Sequence, residues 1–410
     1  MAEWFPQALN PIPPAIPGLG LPARTEEVRR CFFMAATDPL FTAYPMEDFR
    51  RRESAILDAT AAVMRGGHYI LGGEVVQFEL EWAAWCGVGH AIGVANGTDA
   101  IELLLLGLGI GAGDAVAVPS HTAVASASAI RRTGAEPVYI DLDPDTFTLR
   151  PDSLEAALRG PAGTRLKAVL AVHIYGHPAD MEGLAAVCDK HGLVLLEDGA
   201  QSHGATCQGK RVGSLVHGAA FSFYPTKNLG AIGDGGAITT DDTALAGRIR
   251  EIRQYGWRER YISAVEGVNS RLDEVQAAIL RIKLRDLAES ISKRQALAAR
   301  YRAGLTGHPL VRLPAVRPDA THAFHLHVIR SPRRDELMAW LLAQGIPVAL
   351  HYPSAVHQQP GYARFIGQSP SLTETEHAVR EILTLPLHPW LSETAVDRVI
   401  EEIQAWPHGS

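Results

Sequence analysis

The 410-residue chain predicts an α/β fold, a mostly parallel central sheet with helices on both faces. Two observations carry this. Short, uninterrupted apolar runs recur between Ala91 and Thr240, with helix-length stretches between several of them, and strands buried on both faces of a parallel sheet read this way. The last connection of the series, Phe223 to Gly236, has no helical pattern, so the final two strands are expected to pair antiparallel.

Strands are expected at Ala91–Ala95, Ala115–Pro119, Pro137–Asp141, Ala168–His173, Val194–Glu197, Ala219–Phe223 and Gly236–Thr240. Helices fit Ala100–Leu108, Ser153–Leu158 and Asp180–His191. Upstream, Asp48–Arg65 has a helical pattern that places Phe49, Ile56, Leu57, Ala61 and Met64 on one side. Downstream, a long helical stretch from Arg271 to about Leu305 leads to a strand at Phe324–Ile329, a helix at Arg334–Gln344 and a closing helix at Glu393–Ala405. The chain divides into a proline-rich arm (1–45), a large domain (46–290) and a small C-terminal α/β domain (291–410), with no internal repeat.

Composition narrows the function. Hydrophobic residues are 47% and charged residues 20%, as in soluble globular proteins. No apolar run reaches the roughly 18 to 20 residues that span a bilayer. Residues 1–22 lack the basic-then-apolar pattern of a secretory signal, so a cytoplasmic protein is expected. A net charge of −7 favours neither nucleic acid nor an anionic membrane as partner. Cys31, Cys86, Cys188 and Cys207 have no metal-ligand spacing, which predicts reduced structural thiols and no metal site. Only six residues are lysine, so a lysine in a glycine-rich, nearly uncharged segment asks for a specific explanation.

Three segments offer chemistry. In Val94-Ala95-Asn96-Gly97-Thr98-Asp99-Ala100 a strand meets a helix start, whose free N–H groups and positive dipole end make a phosphate cradle, although such a turn also serves merely as a cap. In Leu196-Glu197-Asp198-Gly199-Ala200-Gln201-Ser202-His203 an acid stands at the carboxyl end of a buried strand, where open α/β sheets bind ligands. A carboxylate there needs a facing cation or donor, which a protonated pyridine nitrogen would supply; capping the next turn is the plainer reading. His203 reads equally as a structural histidine. The third segment, Phe221-Ser222-Phe223-Tyr224-Pro225-Thr226-Lys227-Asn228-Leu229-Gly230, runs on through Gly233-Asp234-Gly235-Gly236. Its apolar flanks would desolvate Lys227 and favour the neutral, imine-forming amine, and its glycines let backbone approach a ligand.

Ser222 through Gly236 resembles the cofactor-lysine loop of the DegT/StrS family of sugar aminotransferases, within the fold type I pyridoxal-phosphate superfamily. Tyr69–Gly72, Ala95–Ala100, His173–Gly176, Glu197–Ala205, Gly267–Asp273 and His351-Tyr352-Pro353 are similar to family motifs in the family's order, and the resemblance covers about residues 46–395. It implies pyridoxal 5′-phosphate as cofactor, cycling through pyridoxamine 5′-phosphate. Lys227 would hold it as an internal aldimine and carry the proton, and Asp198 would pair with the ring nitrogen. Gln201 would bond the ring's 3-oxygen, and Gly97, Thr98 and Ser222 would hold the phosphate. Asn269 would reach the phosphate in a neighbouring subunit, which implies a homodimer. The Phe-Tyr-Pro-Thr-Lys-Asn run, Asp234 and the His351–Pro353 segment look most like the branch acting on nucleotide-linked 3-keto-6-deoxy sugars, with an amino acid such as glutamate as donor.

Tyr255, Arg258, Arg260 and Tyr261 fall where such relatives carry a loop near the nucleotide, and their rings and guanidinium groups suit a base and a diphosphate. A solvated polar loop is the plainer alternative. His325 and His351 also resemble substrate-side positions. One departure stands out: Ala123 occupies the place of an aromatic that, in relatives, stacks on the cofactor face, so something else must cover that face, and His121 is one candidate neighbour. Competing readings are an aminotransferase for a free keto-cyclitol, suggested by Val124-Ala125-Ser126-Ala127-Ser128, and a non-catalytic regulatory protein retaining the fold. A dehydratase is opposed by Lys227, since that branch carries histidine there.

Overall fold

Seven of the expected runs become the strands of one sheet: β1 (His90–Val94), β2 (Ala115–Pro119), β3 (Glu136–Ile140), β4 (Leu166–Val172), β5 (Val194–Asp198), β6 (Ala219–Ser222) and β7 (Gly236–Thr240). The computed structural model describes residues 40–407, so most of the proline-rich arm lies outside the described residues. Strand order is β1-β7-β6-β5-β4-β2-β3. The neighbours from β6 to β3 pair parallel, and β7 runs antiparallel to both β6 and β1. The helix-free connection before Gly236 has this consequence.

Helices cover the sheet because its strands are apolar on both sides. The helices up to the C-terminal part, some on the sheet and some packed on other helices, are α1 (Pro45–Arg50), α2 (Glu53–Gly66), α3 (Gly73–Cys86), α4 (Gly97–Gly107), α5 (Val124–Arg132), α6 (Pro151–Leu158), α7 (Met181–His191), α8 (Thr243–Ile252), α9 (Glu274–Leu284) and α10 (Leu287–Leu305). The C-terminal part adds α11 (Arg334–Ala343), α12 (Thr373–Glu381), α13 (Glu393–Ala405) and an antiparallel pair, β8 (His327–Arg330) with β9 (Ile382–Leu385). Leu326, Val328, Val356, Phe365 and Ile382 join the core around β2 and β4, while a separate cluster binds Leu40 to α10, α11 and α13.

One carboxylate fixes the entry to this architecture. Glu274 accepts bonds from the N–H groups of Gly72 (2.7 Å), Val75 (3.0 Å) and Glu74 (2.9 Å), so an α9 side chain caps the start of α3. Its charge also meets the positive end of that helix. Below it, Trp82 of α3 packs edge-on against Phe221 and Phe223, with ring centroids 5.0 and 5.6 Å away. The aromatic flanks of the lysine loop are thereby held in place.

Three expectations need correction. The Asp48–Arg65 pattern is two helices, broken where Arg52 leaves helical geometry (φ −126°) and its guanidinium bonds Asp48 and Asp286. Its apolar side is not a core face: Ile56 is buried, whereas Leu57 and Met64 are 54% and 62% exposed. The Arg271–Leu305 stretch is likewise two helices, divided at Arg285-Asp286. The strand expected from Phe324 begins only at His327, because Phe324 has a positive φ of 43° that no extended run accommodates. Helices α3, α5, α8 and α12 and strand β9 are additional; α5 is short, rich in Ala and Ser, and starts at Ala123 without a capping side chain. Cys86, Cys188 and Cys207 are buried free thiols.

Replacing Glu274 by Ala strands two buried N–H groups and one part-buried one, so Glu274→Ala is expected to lower stability by about 2–4 kcal/mol, read as a lower urea midpoint with unchanged slope. Glu274→Gln should recover part of this loss.

Candidate active site

The carboxyl ends of β1, β2, β4, β5 and β6 open into one cavity of about 420 Å³. Asn96, Gly97 and Thr98 line it after β1, Thr122 and Ala123 after β2, Val172 at the end of β4, and Asp198 and Gln201 at and after β5. Ser222, Tyr224, Lys227 and Asp234 close it from the β6–β7 connection. This is the ligand position of an open α/β sheet.

At one end, Asn96 accepts the Asp99 N–H at 2.8 Å and caps α4, leaving the N–H groups of Gly97 and Thr98 without intrahelical partners. Gly97 is obligatory for this approach, because a Cβ there would stand 2.5 Å from the Ser222 Cβ. Helix start and Ser222 hydroxyl together form an anion cradle.

Asp198 is 5% exposed. One carboxylate oxygen accepts from the Ser126 hydroxyl at 2.8 Å, the other from the Ala200 N–H at 3.1 Å. Further acceptor capacity remains toward the cavity. Gln201 is oriented by the Tyr175 N–H, which donates to its Oε1 at 2.6 Å, so its Nε2 is directed to the Tyr352 hydroxyl at 3.1 Å and keeps a second hydrogen free.

Lys227 is half-buried, and no carboxylate lies within ion-pair distance of its amine among the described residues. Burial lowers its pKa to about 8, and the charge of Asp198 acts in the opposite direction. Three histidines share its surroundings. His203 lies among the rings of Trp82, Phe221 and Phe223, and burial followed by the Lys227 charge pushes it down to about 3. The same two causes, in the same order, bring His351 to about 4 and His325 well below its ordinary value. All three are neutral at pH 7, so they offer ring nitrogens rather than competing charge.

The cavity therefore brings together Gly97, Thr98, Asp198, Gln201, Ser222 and Lys227. His325 and His351 stand close enough to Lys227 to feel its charge but do not line the cavity. Asn269 is exposed outside it. Arg258 and Tyr261 belong to an exposed hairpin (Trp257–Glu259 with Ile262–Ser263), where Arg258 pairs with Glu251 and Tyr261 packs edge-on to Trp257, and Tyr255 precedes it with its ring against Trp257. His121 does not cover the cavity: its Nε2 bonds the Tyr175 hydroxyl, and its ring faces Phe147 and Tyr175. Ala123 lines the cavity without an aromatic substitute from that neighbour. Ser126, Tyr175 and Tyr352 are site residues that the sequence reading quoted but did not assign; a buried acid needing a donor was the available signal for Ser126.

An anion cradle, a carboxylate, an oriented amide and a poorly solvated lysine fit the ligand that the resemblance implies, a flat nitrogen heterocycle carrying an aldehyde and a phosphate. Fold and site together define a fold type I pyridoxal-phosphate transferase. The sequence pattern of the DegT/DnrJ/EryC1/StrS aminotransferase family matches residues 51–404, and the chain belongs to that family. It is an enzyme of the aminotransferase type, and its cofactor is pyridoxal 5′-phosphate. It is 45% identical, over 85% of its length and 91% of the other's, to a dTDP-3-amino-3,4,6-trideoxy-alpha-D-glucose transaminase of Streptomyces venezuelae. The crystal structure of S. venezuelae DesV in complex with a ketimine intermediate superposes with a TM-score of 0.86 at 45% identity, covering 91% of this chain and 99% of that one. NtdA from Bacillus subtilis with bound cofactor PMP matches with a TM-score of 0.80 at 31% identity, over 87% and 82% of the two chains. No helix among the described residues is long and apolar enough to cross a membrane.

Two outcomes follow. Gly97→Ala should weaken cofactor binding about tenfold or more, measured by titration, because the added Cβ must displace Ser222 or the start of α4. Acid should destabilise the fold. His121, His177 and His351 have folded-state pKa values of about 4, and His203 and His327 of about 3, each lowered chiefly by burial. Below pH ~6.5 the unfolded chain binds protons that these folded histidines refuse, so stability falls from pH ~6.5 toward 4 by about 1.4 kcal/mol per pH unit per histidine. Thermal midpoints across that window check the slope.

Proposed function

We propose that the enzyme transfers an amino group from an amino acid, glutamate, to a ketone on a nucleotide-linked sugar. The carrying observation is the site itself: Lys227 and Asp198 line one cavity with a phosphate cradle at its end, in a chain 45% identical to a transaminase named for a dTDP sugar. When bound, the cofactor supplies a carbonyl for the donor's amine and an electron-withdrawing ring that acidifies the neighbouring carbon–hydrogen bond. The chain's own groups do the rest. Gly97, Thr98 and Ser222 would anchor the phosphate. Asp198 would face the ring nitrogen, and Gln201 would donate its free amide hydrogen to the ring oxygen. Lys227 would hold the cofactor and, as an amine, would take and return the substrate proton. His325 and His351 flank it on the substrate side.

We further propose a homodimer in the cytoplasm. Leu57 and Met64 on α2, Tyr69 and Ile70 after it, and Val76 and Leu80 on α3 are 42% to 62% exposed, an apolar face that suits a second copy. Asn269 then reaches the partner's cofactor phosphate, and Tyr255, Arg258 and Tyr261 contact the nucleotide at the entrance.

Incubation with glutamate and a panel of nucleotide keto-sugars and free keto-cyclitols, followed by mass spectrometry, tests the substrate. An aminated nucleotide sugar is expected; amination of a cyclitol alone, with no binding of nucleoside diphosphates, overturns it. Lys227→Ala should carry no cofactor fixable by borohydride, and a labelled variant would show that another amine holds it.

A further inference from the structure

Thr122 and Ser126 both line the cofactor cavity, one just before α5 and one in its first turn, and both are buried. Their hydroxyl oxygens are 3.0 Å apart, and the Ser126 oxygen is 2.8 Å from Oδ2 of Asp198. Two hydroxyls by themselves leave open which one donates. Here the carboxylate decides. An ionised acid only accepts, so the single hydrogen of Ser126 goes to Asp198, and the Ser126 oxygen then accepts the hydrogen of Thr122. The result is a one-way chain from Thr122 through Ser126 to Asp198, ending on a charged group at the carboxyl end of β5.

The backbone holds this chain in place. The Ser126 N–H donates to the Ala123 carbonyl at 3.2 Å, closing the first turn of α5, while Oδ1 of Asp198 takes the Ala200 N–H at 3.1 Å. Each carboxylate oxygen therefore has one fixed donor, and the group cannot rotate without losing both. Hydrogen bonds to a charged acceptor are the strong ones, and hydroxyls in series polarise one another where water is excluded. Each donor stabilises the carboxylate form of the acid. Ser126 belongs to the Val124–Ser128 run that suggested a cyclitol substrate, but its hydrogen is committed to Asp198 and is not available to a substrate.

We infer that Thr122 and Ser126 are positioning residues for Asp198, and that their hydroxyl chain keeps the proton shared by this acid and the cofactor's ring nitrogen on the nitrogen, a role that rests on the proposed pairing of the two. In such a pair the proton can rest on either atom. Donors aimed at the carboxylate lower the energy of the state in which the acid is charged and the ring protonated, and leave the opposite state without that gain. The Ala200 N–H acts in the same sense but is backbone, which no substitution deletes. Lys227, which feels the charge of Asp198, is untouched in every variant below.

The test loads the full chain with cofactor labelled with ¹⁵N in the ring, whose resonance in the solid state reads the protonation of that nitrogen without turnover. The parent is expected at the protonated position. Ser126→Ala should move the resonance by about a tenth or more of the interval toward free pyridine, which corresponds to a roughly tenfold change in the distribution of the proton. Thr122→Val, which puts a methyl of similar size in place of the outer hydroxyl, should move it less and in the same direction. Ser126→Thr keeps a hydroxyl at the inner position and should return the resonance to that of the parent. Because Thr122→Val preserves shape, it serves as the test if Ser126→Ala fails to fold or to hold cofactor. A protonated parent whose resonance is unmoved in these variants overturns the inference and leaves the proposed function standing. An unprotonated nitrogen in the parent overturns the pairing with Asp198 and this inference with it.

Discussion

The site is organised by the cost of keeping a carboxylate dry at the end of a central strand. Successive residues of a strand face opposite sides of the sheet. Glu197 and Asp198 are both buried, and they are satisfied by different surroundings. Glu197 is fully partnered by His173 and the N–H groups of Gly213 and Leu215, and it ties β4 and the loop before β6 to β5. Asp198 receives only the Ser126 hydroxyl and one backbone N–H, and it keeps capacity toward the cavity. The first acid belongs to the fold. The second is incompletely answered by the chain itself, and its remaining acceptor capacity is what the proposed pairing with a cofactor ring nitrogen would use.

Around that asymmetry the molecule withholds charge. Among the described residues Lys227 has no ion-pair partner, and the three histidines that feel its charge are held neutral by burial. An amine that must form and break a covalent bond needs its free-base form within reach of neutral pH. The aromatic wall of Trp82, Phe221 and Phe223 excludes water on one side, and the segment entering at Leu40 closes another. The tertiary setting of this lysine thus extends from α3 to the C-terminal core.

Relatives' patterns made the lysine, the aspartate, the glutamine and the glycine-threonine turn legible in the sequence, because each is a residue type that its position requires. The strands were legible because a sheet buried on both faces leaves an uninterrupted apolar run. Periodicity misled where two faces of one helix are apolar. On α2, Ile56 and Val63 face the core, while Leu57 and Met64 face outward, and a 3.6-residue pattern does not say which stripe the chain itself covers. His121 misled for a related reason: adjacency to Ala123 suggested that it would cover the cavity, but its ring turns to Tyr175 and Phe147.

By itself, the sequence determined the α/β class and the antiparallel exit of the sheet, since these depend on local composition; Lys227 and Asp198 were named as candidates on their segments and on the resemblance, and the fold places both on one cavity. Only the tertiary structure decided the partners that make them work. Ser126 for Asp198, Tyr175 and Tyr352 for Gln201, and Glu274 at the start of α3 come from positions tens to hundreds of residues away. Such pairings are set by how sheet order folds distant segments together, and no spacing along the chain encodes them.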